Sequence, residues 1–243
     1  MTEPFRKEKP VKSLEAVHEN LEEILRESSR LMATNGFHGT SMRDLARETG
    51  RSLSGLYHYF QNKEDLLYLI NSVGFSALLR TWQNLEPEFS QPAEKLYALV
   101  FSHTAYYVDH MHEMRVMTWG TQPLTPEKAT RIKELKELYL KACIKVLRAL
   151  KSRDDASISE KSLERQAYLL FGMMNWLFAW YEPQKHGSSQ DLARDIFRTF
   201  LVGFCGSITD FNFDECQTKL STLQSTSPNS NATDSFSNLR KAG

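Results

Sequence analysis

Apolar residues recur three and four positions apart along most of this 243-residue chain, and the alternation of a half-buried strand is almost absent. An all-α fold follows. A first helix carries Leu21, Ile24, Leu25, Ser28, Leu31 and Met32 on its buried stripe and stops at Asn35-Gly36, glycine being the residue that closes a helix most readily. Two short helices come next, then a fourth from Lys63 to about Arg80 with Leu66, Leu67, Leu69 and Ile70 as its apolar material. Pro92 suits a first helical turn, where its missing N–H is no loss, and opens a fifth helix through Leu96, Leu99, Val100, His103, Tyr107 and His110. Thr125-Pro126-Glu127 starts a long helix through Ile132, Leu135, Leu138, Ala142, Val146 and Leu150. Another begins at 157–160 and is expected to reach Tyr181, ending before Pro183. After a loop over 183–189, Ser189 is expected to cap a last helix through Leu192, Ile196, Phe200 and Leu201.

The resulting plan has four parts. Residues 1–18 form a charged, flexible arm and 19–66 a three-helix domain, 67–207 a larger helical domain, and 208–243, rich in Ser, Thr, Asn and Gln, a disordered tail. Thirty basic residues balance thirty acidic ones, so no global field advertises a nucleic-acid partner and any such contact must come from a local patch. Cys143, Cys205 and Cys216 are too few and scattered for a disulfide framework, which fits a reducing cytoplasm. The N-terminus lacks a signal-peptide apolar run, and the stretch around 169–180 is too short to span a bilayer, so no membrane partner is expected. His103, His110 and His112 make no convincing metal-ligand set, and the run from His112 to Val116 begins like a zinc-protease motif but lacks its second histidine. Without a nucleophile and base, a metal set or a phosphate loop, no enzyme and no cofactor are expected.

The most informative segment is FHGTSMRDLARETGRSLSGLYHYFQNKEDLL, from Phe37 to Leu67. Ser41 with Asp44 three residues on is a capping box that opens a two-turn helix over Met42, Leu45 and Ala46. Gly50 supplies the positive φ that closes it, and Ser52 caps the next helix after a very tight connection, which makes a helix-turn-helix. Leu56, Tyr59 and Phe60 form the packed face of the second helix, leaving Leu53, Ser54, Tyr57 and His58 facing outward, a set suited to a DNA groove. Tyr57 offers a hydroxyl for a phosphate, Ser54 and His58 can pair with base edges, and Gly55 allows close backbone approach. Lys63, with the free N–H groups at the start of the following helix, is a second anion site. Arg43, Arg47, Arg51 and Lys63 outnumber Asp44 and Glu48 here, giving the local positive patch that a neutral chain needs.

The pattern GF-x-GTSMRDLA followed by G-x-S-x-x-x-LYHYF-x-x-KEDLL resembles the DNA-binding domain of the TetR family over about Ile24 to Leu67. The resemblance implies phosphate contacts from Thr40, Tyr57 and Lys63, backbone or base contact from Arg43, and Leu53, Ser54 and His58 in the groove. Arg51 stands where the family has a small apolar residue and Gly55 where it has Thr or Pro, departures that bear on operator sequence and add both positions to the candidate DNA-binding set. It also implies double-stranded operator DNA as partner and a homodimer built on the last two long helices, whose Leu169, Phe171, Met173, Trp176, Phe178, Trp180, Phe197, Phe200, Leu201 and Phe204 supply ample aromatic and aliphatic area.

GMMNWLFAWYEPQKHG, from Gly172 to Gly187, is similar to the corresponding segment of TetR-family members that respond to acyl-CoA thioesters, which implies a small-molecule effector of that class. Tyr107, Met111, Met114, Met117, Trp119, Met173, Trp176 and Trp180 are the candidate ligand lining, with Arg131, Lys133, Lys136, Lys141 and Lys145 as phosphate partners. The function expected is a cytoplasmic repressor released from a palindromic operator by an apolar effector. The alternative is a helical adaptor that keeps the domain but no longer binds DNA.

Overall fold

The computed structural model describes residues 14–119, 122–151, 159–205 and 212–226, and among them every regular element is helical. In chain order these are α1 (Leu14–Asn35), α2 (Met42–Glu48), α3 (Leu53–Leu56), α4 (Lys63–Leu85), α5 (Pro92–Asp109), α6 (Met111–Thr118), α7 (Pro126–Lys151), α8 (Glu160–Asn175), α9 (Pro183–His186), α10 (Ser189–Cys205) and α11 (Phe213–Thr226).

Helix α5 is the axis of the larger unit. Its residues from Leu96 to Thr104 are all buried, because α4, α7, α8, α10 and α11 surround it, and a helix apolar on every side has no solvent face to offer. The smaller unit, α1 to α3, is closed by Ile24, Met32, Leu45, Leu56 and Leu66, all wholly buried. Helix α4 belongs to both units, and α6 packs on α1 and α4 together. Close approach of α6 depends on Gly74, where a Cβ would stand 2.7 Å from Cε of Met117. Helix α7 runs alongside α4 in the same direction: Lys128 meets Glu64 and Asp65, Lys136 lies over Phe75, and Lys145 meets Glu86.

Several boundaries differ from the sequence expectation. Helix α1 begins at Leu14, inside the stretch expected to be an arm, and α4 continues past Arg80 to Leu85. Helix α8 stops at Asn175 and not at Tyr181, and the chain goes on as a 3-10 turn over Leu177–Ala179. Here Tyr107 donates its hydroxyl to the Asn175 carbonyl at 2.9 Å, so a tertiary partner takes that acceptor at the point where the helix stops. Pro183 opens a single helical turn in place of a loop, and Ser188, one residue earlier than expected, makes the capping box with Asp191. The expected disordered tail is corrected over Phe213–Thr226, where α11 buries Cys216 and Leu220 and sets Phe213 edge-on to Tyr97 and Phe197. Low apolar content hid it because few side chains do the docking. The rest of that tail and most of the arm lie outside the described residues.

Candidate nucleic-acid interface and effector region

Local chemistry builds the helix-turn-helix residue by residue. Ser41 Oγ accepts the Asp44 N–H at 3.1 Å while the Asp44 carboxylate accepts the Ser41 N–H at 3.0 Å, and the Ser41 bonds hold that carboxyl below its usual range. Gly50, at φ +62°, lets the chain close α2 with paired bonds from Gly50 N–H to the Arg47 carbonyl and from Arg51 N–H to the Ala46 carbonyl. Ser52 Oγ then accepts the Gly55 N–H at 3.0 Å, and α3 starts at once. Leu45 and Leu56 lock the two helices together, with Phe60 behind them.

The opposite side is open. Arg43, Ser54, Tyr57 and His58 are exposed, Leu53 and Gly55 half-buried, and Tyr57 as a whole retains 39% of its accessibility. Arg43 has no carboxylate partner among the described residues, whereas Arg47 pairs with Asp44 at 2.7 Å. Three candidates are tied inward by their side chains. Thr40 is buried and donates its hydroxyl to the Gly36 carbonyl at 2.9 Å. Lys63 donates its ammonium to the Phe37 carbonyl at 2.7 Å and lies 4.6 Å from the Phe37 ring centroid. Arg51 reaches back to α1, at 2.6 Å from Asn20 Oδ1 and 2.9 Å from Glu23 Oε2. The positive patch counted from sequence is thinner in space, since internal partners already hold Arg47, Arg51 and Lys63.

The eight candidate ligand residues fall into separate groups. Met114 and Met117 are buried and Met111 half-buried on α6, at its contact with α1 and α4. Trp119, Trp176 and Trp180 are exposed, and Met173 is half-buried on α8. Of the basic residues on α7, Lys145 is bound to Glu86 at 2.7 Å and Lys133 to Glu137 at 3.8 Å. Lys136 is partly desolvated over Phe75, which pulls its pKa below the usual lysine value.

Tyr107 leads to a cluster that sequence reasoning missed. His103, wholly enclosed among α5, α7 and α8, has Nδ1 at 3.3 Å from the Tyr139 hydroxyl and Nε2 at 3.0 Å from Asn175 Oδ1. Burial pushes the imidazole down to about 4, so it is neutral at physiological pH. His103 stacks on the Tyr139 ring and, with it, packs against Phe171. The one available signal was a histidine set within the apolar stripe Leu96, Leu99, Val100, where an unpaired imidazole would be unfavourable. His110 instead stacks on Tyr106, so the two histidines share no site, and no group of metal-ligating residues occurs among the described residues.

Two family models match the chain, bacterial regulatory proteins of the tetR family over residues 24–68 and the tetracyclin repressor-like C-terminal domain over residues 90–204, together about two thirds of it. Among curated proteins, the HTH-type transcriptional regulator HbdR of Aromatoleum sp. (strain CIB) is 26% identical over 123 residues, 49% of this chain. The chain spans about half the length of that relative, 52%. Among solved structures, the TetR-family regulator PfmR of Thermus thermophilus is 25% identical with a TM-score of 0.64, covering 73% of this chain and 96% of PfmR. AibR, solved in complex with isovaleryl coenzyme A and operator DNA, is 22% identical with a TM-score of 0.64, covering 74% of this chain and 97% of AibR. No helix among the described residues is long and apolar enough to cross a membrane. Helix-turn-helix, core architecture and both family models agree: the chain belongs to the TetR family of bacterial transcriptional regulators.

Proposed function

We propose that the protein is a homodimeric repressor that binds a near-palindromic operator through α2 and α3 and is released by an apolar small molecule. The observation that carries this reading is the outward side of the turn, where unpaired Arg43 and exposed Ser54, Tyr57 and His58 stand on a two-helix unit packed tightly from behind. Arg43 and Tyr57 contact phosphates, Leu53, Ser54 and His58 enter the major groove, and Gly55 leaves room for the backbone. Thr40 acts through its backbone N–H, since its hydroxyl is engaged, while Lys63 and Arg51 brace the loop and α3 from behind.

Dimerisation uses α8, α10 and the turn between them, where Tyr168, Leu169, Trp176, Trp180 and Val202 remain exposed in the single chain, an apolar surface that water does not favour. The two recognition helices then lie roughly 34–36 Å apart, one turn of DNA. The acyl-CoA class remains the leading effector, supported by the segment 172–187 and by the ligand of the similarly folded AibR. No enzymatic activity and no resident cofactor belong to this reading. Mobility shifts with the purified protein and fragments of neighbouring promoters test it: retention of one fragment, lost on adding an acyl-CoA, is expected. Failure to retain any promoter fragment would favour the adaptor reading, for which the internally paired Arg47 and Arg51 are the specific observation.

A further inference from the structure

At the junction of α5, α6 and the end of α8, a buried polar relay ends on an outward-facing amide donor, on the side of the core where Arg115 lies over Phe178. The Tyr139 hydroxyl has His103 Nδ1 as its acceptor, which leaves the imidazole proton on Nε2. That N–H is directed at Asn175 Oδ1, so the Asn175 carboxamide is oriented with its nitrogen outward, and among the described residues this nitrogen has no acceptor. Tyr107 holds the same residue from its other side by donating to the Asn175 carbonyl at 2.9 Å. The backbone N–H of Phe178 and the charge of Arg115 both act on the Tyr107 hydroxyl, which brings α6 and the 3-10 turn to this point. Arg115 itself is exposed, lies 5.5 Å over the Phe178 ring, and has no carboxylate partner among the described residues.

A relay of this kind is an expensive way to fill a core. Aliphatic side chains of similar volume would pack without desolvating an imidazole, two phenols and an amide. What the relay achieves is a fixed donor, and the apolar side chains around it, Phe171 and Phe178, suit a hydrocarbon. We infer that Arg115, Asn175 and Tyr107 form the head-group site for an anionic acyl compound, with His103 and Tyr139 as positioning residues. The acyl oxygen meets the Asn175 amide, the negative charge meets Arg115, and the chain enters among the aromatic rings. The inference rests on the effector-released reading above and adds how the signal leaves the site. Arg115 stands between Met114 and Met117 on α6, so closing the guanidinium on an anion shifts the helix that packs on α1 and rides directly on Gly74 of α4.

Three eight-carbon probes test it by calorimetry on the full chain: sodium octanoate, octanoyl-CoA and octan-1-ol. The expected result is that at least one anionic probe binds, with octanol about tenfold weaker or worse. In Arg115→Gln the bound anion is expected to lose about tenfold while octanol is unchanged. Octanoate affected by Arg115→Gln identifies a carboxylate at the guanidinium, and octanoyl-CoA affected alone identifies a CoA phosphate there. Asn175→Ala is expected to weaken all three probes, since each presents an oxygen to the amide. Equal affinity for octanol and the anions, wild-type binding in Arg115→Gln, or no binding of any probe would each overturn the assignment. Probe-free operator binding, measured in parallel, separates that outcome from failure of the repressor reading, because Arg115 lies on the exposed side of α6, away from α2 and α3.

Discussion

Met117 on α6 lies so close to Gly74 on α4 that a single methyl group on the glycine would stand 2.7 Å from its Cε and nearer still to its sulfur. The two helices therefore meet backbone against side chain, with no layer of atoms between them to absorb motion. Gly74→Ala should gain about 1 kcal/mol of helix propensity and lose roughly 1–3 kcal/mol to overpacking, a net destabilisation. In a Met117→Ala background the same substitution should turn stabilising. Chemical denaturation of the four proteins of that cycle checks it, and purely additive effects would show that the contact carries no energy.

Lys128 joins α7 to the start of α4 through Asp65 at 2.5 Å and Glu64 at 3.1 Å, while the Thr125 N–H donates to Glu64 at 2.8 Å. The Thr125 bond and then Lys128 hold the Glu64 carboxyl below its ordinary 4.5. The Asp65 bond first, then Glu64, raises Lys128 above its ordinary 10.5. A depressed carboxylate contributes stability above its unfolded value and loses it as pH falls through the folded one. A raised ammonium contributes below its unfolded value and loses it as pH rises through the folded one. Lys128→Met should accordingly lower stability by up to about 1 kcal/mol at neutral pH, with the difference from wild type fading as pH falls from neutrality through the folded value of Glu64, below 4.5. Thermal melts across that range are the measurement.

On the DNA side, Arg43→Ala should lower the slope of log affinity against log salt by about one, since its guanidinium is free to neutralise a phosphate. Tyr57→Phe should weaken binding alike on all sequences and His58→Ala should alter sequence preference. Lys63→Ala should additionally reduce the stability of the three-helix unit by about 1 kcal/mol, because the Phe37 carbonyl loses its donor. Fluorescence anisotropy on matched and scrambled duplexes, together with melts, distinguishes these effects. Full operator affinity in all four variants would sink the assignment of this face.

Assembly can be probed without disturbing the monomer. Trp176 keeps 62% of its accessibility and Val202 51%, whereas Phe200 keeps 6%. Trp176→Glu and Val202→Asp should produce a folded monomer by light scattering and circular dichroism, while Phe200→Asp should unfold the chain itself. A wild-type protein monomeric at micromolar concentration would count against the dimer.

That last contrast shows what the sequence could and could not say. Phe200 and Trp176 both read as apolar residues of the two final long helices, and their spacing does not reveal which of them the rest of the chain covers. The helix-turn-helix was legible because its determinants are local: Ser41 with Asp44, Gly50, and Ser52 each act within four residues. Thr40 is engaged locally, by the Gly36 carbonyl, whereas the roles of Lys63 and Arg51 were hidden because each partner is set by tertiary packing, 26 positions away for Lys63 and 31 for Arg51 with Asn20. Asn175 escaped notice for the same reason. Nothing near it in sequence announces that His103 and Tyr107, about seventy residues earlier, will take its side chain and its carbonyl.

The 23 residues of α4 run without a break from the three-helix unit into the core, a rod of roughly 34 Å at 1.5 Å per residue. Its far end is held by Lys145 on Glu86 and by Lys219 of α11, which donates to the Glu88 carbonyl and lies over Phe89. Its near end is tied to α7 by Lys128 on Glu64 and Asp65, so a tilt of about 5° about the far end, carrying the near end roughly 3 Å, must stretch that ion pair, and in the proposed dimer two such displacements add or subtract across the two-fold axis. In that dimer half-site separation follows a small angle about the corner at Glu86, and Lys128 is the tie that resists it.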